Sequence, residues 1–432
     1  MLYLSLAVEI FHQFHYNRTV VLFTSRGGYI MNNDSTSMQT SRLHYFIMIT
    51  VIIVTGASQG LLLPLLTVLL EHMGVSSDLN GLNAAMLYIG IFSTLFFVEK
   101  LLAYFGFKKL ISLSLMLVII ALALFPMFKS IWIWFALRFL VGVGDSALHY
   151  ASQLWVLTSS NEQNRGRNLS FYGMSYGIGF SIGPLGMNLL VFGDWVPFAA
   201  IGVLCTIVLL LIVFILPDYQ VMGTKKDAPV LERRYTRSFQ WAWFALLPAF
   251  LYGYTEASMN SSFPIYALRI GLEQNWISFL LPFFGIGGLI LQLPLGVLSD
   301  RIGRKKVLMG AGFLGGIAFL LIPLYGANPT AILILFMIAG GMLGSFFSLG
   351  LAFAADILPK AYLPSANVVA SFIFSIGSIL APNLAGIGMQ HISISSLFWL
   401  LGGIFIVFAA LGFMFKLKQA EQVRIRESAL DV

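Results

Sequence analysis

The chain has 432 residues, of which 58% are hydrophobic and only 10% charged. A water-soluble domain needs far more charge than that to cover its surface, so a soluble protein is excluded. The net charge of +7 is spread in short runs between apolar stretches, which suits a membrane surface and not a nucleic acid. Cys205 is the single cysteine, so no intrachain disulfide is possible.

Residues 1–42 form an N-terminal extension unlike the rest of the chain. A short apolar start, then His12, His15, Arg18 and Arg26, gives neither a signal-peptide layout nor a membrane span. Arg26-Gly27-Gly28 can be encoded by a purine-rich ribosome-binding sequence, and Met31 comes after a short spacer. The expectation is that translation begins at Met31 and residues 1–30 are an artefact; a translated extension is the alternative.

A helix needs about 20 apolar residues to cross a bilayer. Six such stretches occupy the first half, at 43–70, 81–102, 108–128, 131–157, 168–191 and 195–217. A polar linker, 218–238, precedes six more at 239–265, 276–299, 305–325, 329–355, 362–388 and 394–416, with a charged tail at 417–432. The fold class expected is an all-α membrane protein with two six-helix bundles, 43–217 and 239–416. No gap has room for a soluble catalytic domain.

Basic residues set the orientation. With the N-terminus inside, 20 of them, including Lys108, Lys109, Arg304, Lys305 and Lys306, fall on the cytoplasmic side, and only Lys129 and Arg269 fall outside. Both termini are therefore expected in the cytoplasm and the protein in the plasma membrane.

The halves repeat at a nearly constant offset. Gly106-Phe-Lys108-Lys109-Leu110 returns 197 residues later as Gly303-Arg-Lys305-Lys306-Val307, and Gly56-Ala-Ser-Gln59 returns at the same offset as Gly253-Tyr-Thr-Glu256. Gly179-Phe-Ser-Ile-Gly183-Pro184 returns after 198 as Gly377-Ser-Ile-Leu-Ala381-Pro382. Six spans followed by six in the same topology make a parallel repeat about the membrane normal, with a substrate site expected between the halves near mid-membrane.

The cytoplasmic turn Gly296-Val-Leu-Ser-Asp300-Arg301-Ile-Gly303-Arg304-Lys305-Lys306 resembles the signature loop of the major facilitator superfamily. The first-half copy departs from it, with Glu99 in place of glycine and Ala103 in place of aspartate. Arg138-Phe-Leu-Val-Gly142-Val-Gly144 and Gly179-x-x-x-Gly183-Pro184 resemble motifs of its drug:proton antiporters, although Met187 and Asn188 stand where a glycine pair is usual. The resemblance implies two bundles related by a pseudo-two-fold axis around a cavity lined by the first, fourth, seventh and tenth spans. It also implies a gating role for the loop, whose arginines are expected to engage acidic groups such as Asp356 when the cavity faces outward.

Ionisable groups inside the spans are few. Arg138, Asp145, His149 and Gln153 share one face of the fourth span, and Glu256 sits in the seventh. A lone charge at a helix centre costs roughly 2.5–3.5 kcal/mol on insertion scales, so such residues face a polar cavity or one another. Burial and neighbouring charge both alter a carboxyl group's hold on a proton, so changing access can load or release one. One reading makes Glu256 the principal proton and cation site, with Asp145, Arg138 and His149 setting its field and Gln59 facing it from the repeat. The other makes Arg138 and Asp145 a static ion pair bracing the helix.

Gly179-Phe-Ser181-Ile-Gly183 spells a hydrolase nucleophile motif, but it lies inside a span and not on a strand–turn–helix elbow. No phosphate-binding loop and no zinc pair is present in the sequence. The expectation is a monomeric transporter in a lipid bilayer that handles a small-molecule substrate and protons, uses no cofactor or metal, and is not an enzyme. Efflux of small amphipathic compounds leads; symport uptake of a metabolite and a transport-inactive receptor are the alternatives.

Overall fold

The computed structural model of the chain describes residues 42–160, 165–217 and 234–415. The N-terminal extension up to residue 41, most of the 218–238 linker and the 417–432 tail lie outside the described residues. Among the described residues there is no strand. The α-helices run in order as α1 (Arg42–His72), α2 (Ser77–Thr94), α3 (Val98–Leu124), α4 (Ile131–Ser159), α5 (Arg165–Ile182), α6 (Val196–Ile215) and α7 (Arg234–Ser261). They continue as α8 (Phe263–Arg269), α9 (Gln274–Ile302), α10 (Arg304–Leu321), α11 (Pro329–Leu343), α12 (Phe346–Ile357), α13 (Leu363–His391) and α14 (Ser396–Met414). We call the end at which α1 begins the near end and the opposite one the far end.

Ten stretches are long and apolar enough to cross a membrane. The two other expected spans fall on α2 and α7, which are helical but more polar. α2 carries Asp78, Asn80 and Asn83, and α7 carries Arg237, Gln240, Glu256 and Asn260.

Several expected continuous spans are broken. The second ends early because the amides of Leu95, Phe96 and Phe97 turn back to the carbonyls of Phe92, Ser93 and Thr94. Ser93 and Thr94 also donate to carbonyls one turn earlier, which bends a helix. The fifth span changes at Gly183 from α-helix to a 3-10 helix over Gly183–Phe192, so Pro184 opens the tighter segment. The seventh is interrupted at Ser262 and the tenth at Gly344 and Ser345.

The internal repeat extends to backbone detail. Gly106 and Gly303 both take positive φ, 75° and 97°, as do Gly74 and Gly271 at 73° and 87°; each pair is 197 residues apart. These turns need left-handed backbone, which only glycine adopts without strain. Close helix approaches repeat too. A Cβ on Gly179 would meet the Ile53 carbonyl of α1, and one on Gly377 the Phe250 carbonyl of α7. A Cβ on Gly142 would meet the Leu87 carbonyl, and one on Gly340 the Phe284 carbonyl. Small residues that let backbones touch drive helix association in lipid, where the hydrophobic effect is silent. We expect Gly340→Val to lower the yield of folded protein several-fold, since overpacking costs about 1–3 kcal/mol. Gly310→Val, with nothing within 4 Å of its Cβ, should leave it unchanged. Fluorescence-detected size exclusion of detergent extracts measures both.

Two seams join the halves, and they differ. Along α2 and α13 the backbones touch, with Gly81 against the Pro382 carbonyl and Gly386 against the Ser77 carbonyl. Along the other, side chains do the joining: Ser278 donates to Asn188 (2.8 Å) and Gln274 to the Met187 carbonyl (3.2 Å).

Candidate functional site

The polar side chains of the first half gather between α1, α4 and α5. Tyr176 of α5 donates its phenolic proton to Gln59 Oε1 at 2.7 Å. Its ring meets that of His149 edge-on, with centroids 4.7 Å apart. His149 Nδ1 lies 2.9 Å from the Tyr172 hydroxyl, which is also 3.2 Å from the His149 carbonyl. A carbonyl can only accept, so the phenol donates to it and receives the Nδ1 proton, leaving the Nε2 lone pair without a partner. Asp145 is 3% exposed and its Oδ2 is unpartnered; it faces Tyr176 and Cys205 electrostatically.

Arg138 is 1% exposed, and none of its three guanidinium nitrogens has an acceptor. It sits over a small apolar cavity lined by Leu62, Leu63, Leu66, Leu87, Phe125 and Val141. The expected static pair with Asp145 is therefore not made. Two helical turns separate the residues, and Arg138 is directed to the far half of the bundle, among α1, α2 and α3, whereas Asp145 looks to α5 and α6.

Glu256 is half-buried on α7 and interacts electrostatically with three phenols: Tyr88 and Tyr176 of the first half, and Tyr252 on its own helix. Described ion pairs include Arg269–Glu71, Arg304–Asp300 and Arg304–Asp356, and among the described residues no cation pairs with Glu256. The repeat also removes a neutral partner. Gln59 is fixed by Tyr176, and the equivalent position beside Glu256 is Phe374, which has no hydroxyl.

The same offset turns other polar residues of the first half into aromatics in the second. Arg138 corresponds to Phe336 and His149 to Phe347, each 198 residues on. Tyr252, Phe347 and Phe374 form one cluster, with centroids 5.9–6.4 Å apart. The interface thus has a polar wall on the first half and an aromatic wall on the second, with Glu256 rising from the aromatic one. Tyr88, Tyr172 and Tyr176 were not among the expected site residues. Applying the repeat offset to every polar position in the spans would have singled out Tyr176, because it holds Gln59 and its counterpart Phe374 has no hydroxyl.

At the near end, Asp300 and Arg304 flank the Gly303 turn and pair at 3.3 Å, while Arg304 reaches Asp356 at 3.1 Å and the Ala352 carbonyl. Arg301 is exposed, and Gly296 has open space around it. All partners of Arg304 lie in the second half, so the contact ties the start of α10 to the end of α12 and does not bridge the halves. Both carboxylates are exposed, and such pairs are worth up to about 1 kcal/mol. We expect Asp356→Arg and Arg304→Asp each to lower transport up to about fivefold and the double exchange to restore it. A double variant no better than either single one, in a vesicle uptake assay, would show that the pair has no role.

At the far end an ion pair and side-chain hydrogen bonds join the halves: Glu71–Arg269, Ser77 N–Gln390, Gln274–Met187 and Ser278–Asn188. A family model, Major Facilitator Superfamily, matches residues 48–287 and 249–429. The chain belongs to the major facilitator superfamily. It is 39% identical over 362 residues to YfkF of Bacillus subtilis strain 168, an uncharacterised MFS-type transporter, covering 83% of this chain and 92% of that protein. It is 26% identical over 286 residues to YcaD of Escherichia fergusonii, of the same description, covering 64% and 71%. Among solved structures it resembles a bacterial homologue of the human lysosomal transporter Spinster in an inward-facing, unoccupied conformation, with a TM-score of 0.66 at 13% identity over 90% of this chain and 98% of that one. The nucleoside transporter NupG superposes with a TM-score of 0.68 at 16% identity, covering 87% and 100%. At these identities the structures speak for the fold alone. As a superfamily member this chain is a multi-pass membrane transporter of small molecules.

Proposed function

We propose that the protein is a monomeric, proton-coupled exporter of small amphipathic compounds, working by alternating access in the plasma membrane. In this reading α2 and α7 cross the bilayer with the other ten stretches, giving twelve spans in two bundles. The near end with both termini faces the cytoplasm. The strong excess of basic residues on that side supports the orientation.

The observation that carries the reading is Glu256. It is a half-buried carboxylate between the halves, without a cation, facing phenols of both. Such a group exchanges a proton for a cationic cargo without leaving an unpaired charge in either case. Tyr252, Phe347 and Phe374 offer an apolar face beside it, suited to the hydrocarbon part of an amphipathic amine. Bonding at the far end supports a cytoplasm-facing state ready to receive cargo. Purified protein in sealed vesicles with an imposed pH gradient tests the reading. Accumulation of a lipophilic amine that collapses with a protonophore is expected; accumulation indifferent to the gradient would overturn it.

A further inference from the structure

Arg269 is one of only two basic residues that the sequence leaves on the far side, where Lys and Arg are otherwise avoided. The structure gives it a use. Its Nε donates to Glu71 Oε1 at 2.7 Å and its Nη2 to Oε2 at 3.4 Å, a two-point clasp between the end of α1 and the end of α8. The residues are 198 positions apart, one more than the 197 that relates Gly74 to Gly271. They are thus one residue away from equivalent positions in the two halves, and positions so nearly equivalent meet close to the pseudo-two-fold axis. Like charges there would repel; this chain carries opposite ones.

We infer that Glu71 and Arg269 form the latch that holds the far mouth of the central cavity shut. The inference rests on the alternating-access reading, in which the halves rock about the axis. Points close to the axis at one end separate directly when that end opens, so a bond placed there biases the equilibrium between the states. The flanking contacts, Ser77–Gln390 and Ser278–Asn188, are single neutral hydrogen bonds. Planar guanidinium–carboxylate pairs are the stronger kind.

The latch is testable without knowing the cargo. Cys205 is buried, so a Cys205→Ala background carries no reactive thiol, and Asn260→Cys places one a single turn beyond Glu256 toward the far end. A membrane-impermeant maleimide added from the far side reports how often that mouth opens. Glu71→Gln and Arg269→Gln should each raise the labelling rate about fivefold, and the exchanged pair Glu71→Arg with Arg269→Glu should return it to the parent rate. Raising salt should speed labelling of the parent and leave the glutamine variants unchanged. Unaltered labelling in well-folded single variants, or an exchanged pair as open as the singles, would overturn the latch. Loss of gradient-driven transport plays no part in this readout. A failed latch and a failed transport reading are therefore separable.

Discussion

Glu256→Gln is expected to abolish gradient-driven transport while leaving downhill exchange of cargo measurable. The substitution keeps the shape of the side chain and reproduces the residue at the equivalent position, Gln59. It removes only the ability to take up and lose a proton. No basic residue among the described ones pairs with Glu256, so no other charge is stranded by the change. The amide still offers a hydrogen bond to cargo, and the aromatic face of Tyr252, Phe347 and Phe374 is untouched. Accumulation against a gradient should fall at least about tenfold, with a loss of dependence on pH, whereas exchange of labelled for unlabelled cargo should fall only a few-fold. Asp145→Asn is expected to behave differently. Asp145 is 3% exposed within its own bundle and should affect folded yield or binding more than coupling. If Glu256→Gln still accumulates cargo and a well-expressed Asp145→Asn does not, the two carboxylates exchange roles.

Much of this arrangement is legible in the amino-acid sequence, because membranes restrict the choices a chain has. Apolar runs of the required length mark the helices, and the repeat at 197–198 residues marks their pairing. Glycine positions such as Gly142 and Gly179 signal close contact, though not with which carbonyl. The direction of side chains within one bundle is not legible in this way. Arg138 and Asp145 lie on one helical face by spacing, and spacing suggests an ion pair. A helix face seven residues long passes different neighbours at its two ends, and the structure sends Arg138 among leucines and the Tyr88 phenol while Asp145 meets Tyr176. The helix break at 95–97 is hidden, since serine and threonine back-bonding leaves no mark on hydropathy, whereas Pro264 in the first turn of α8 marks the one at Ser262.

Arg138→Met is expected to make the protein more stable and less able to transport. In the structure the guanidinium is buried and all of its donors are orphaned, above a cavity of leucine, valine and phenylalanine side chains. An unpaired charge in such a place costs roughly 2.5–3.5 kcal/mol even on the milder insertion scales. Methionine has similar length, fills irregular apolar gaps and carries no donor. The second half shows what an apolar choice looks like at this position. There Phe336 is 0% exposed and packs against the rings of Phe263, Phe284 and Phe398. A residue kept at such expense in the state seen should find its partner in another state, and transport requires both. The methionine variant should therefore unfold roughly 5–10 °C higher and transport at least about tenfold more slowly. Thermal unfolding in detergent and vesicle uptake measure the two effects separately. A variant that is less stable would make Arg138 a brace of α4, and one that is more stable yet transports normally would leave the buried charge without a part in the cycle.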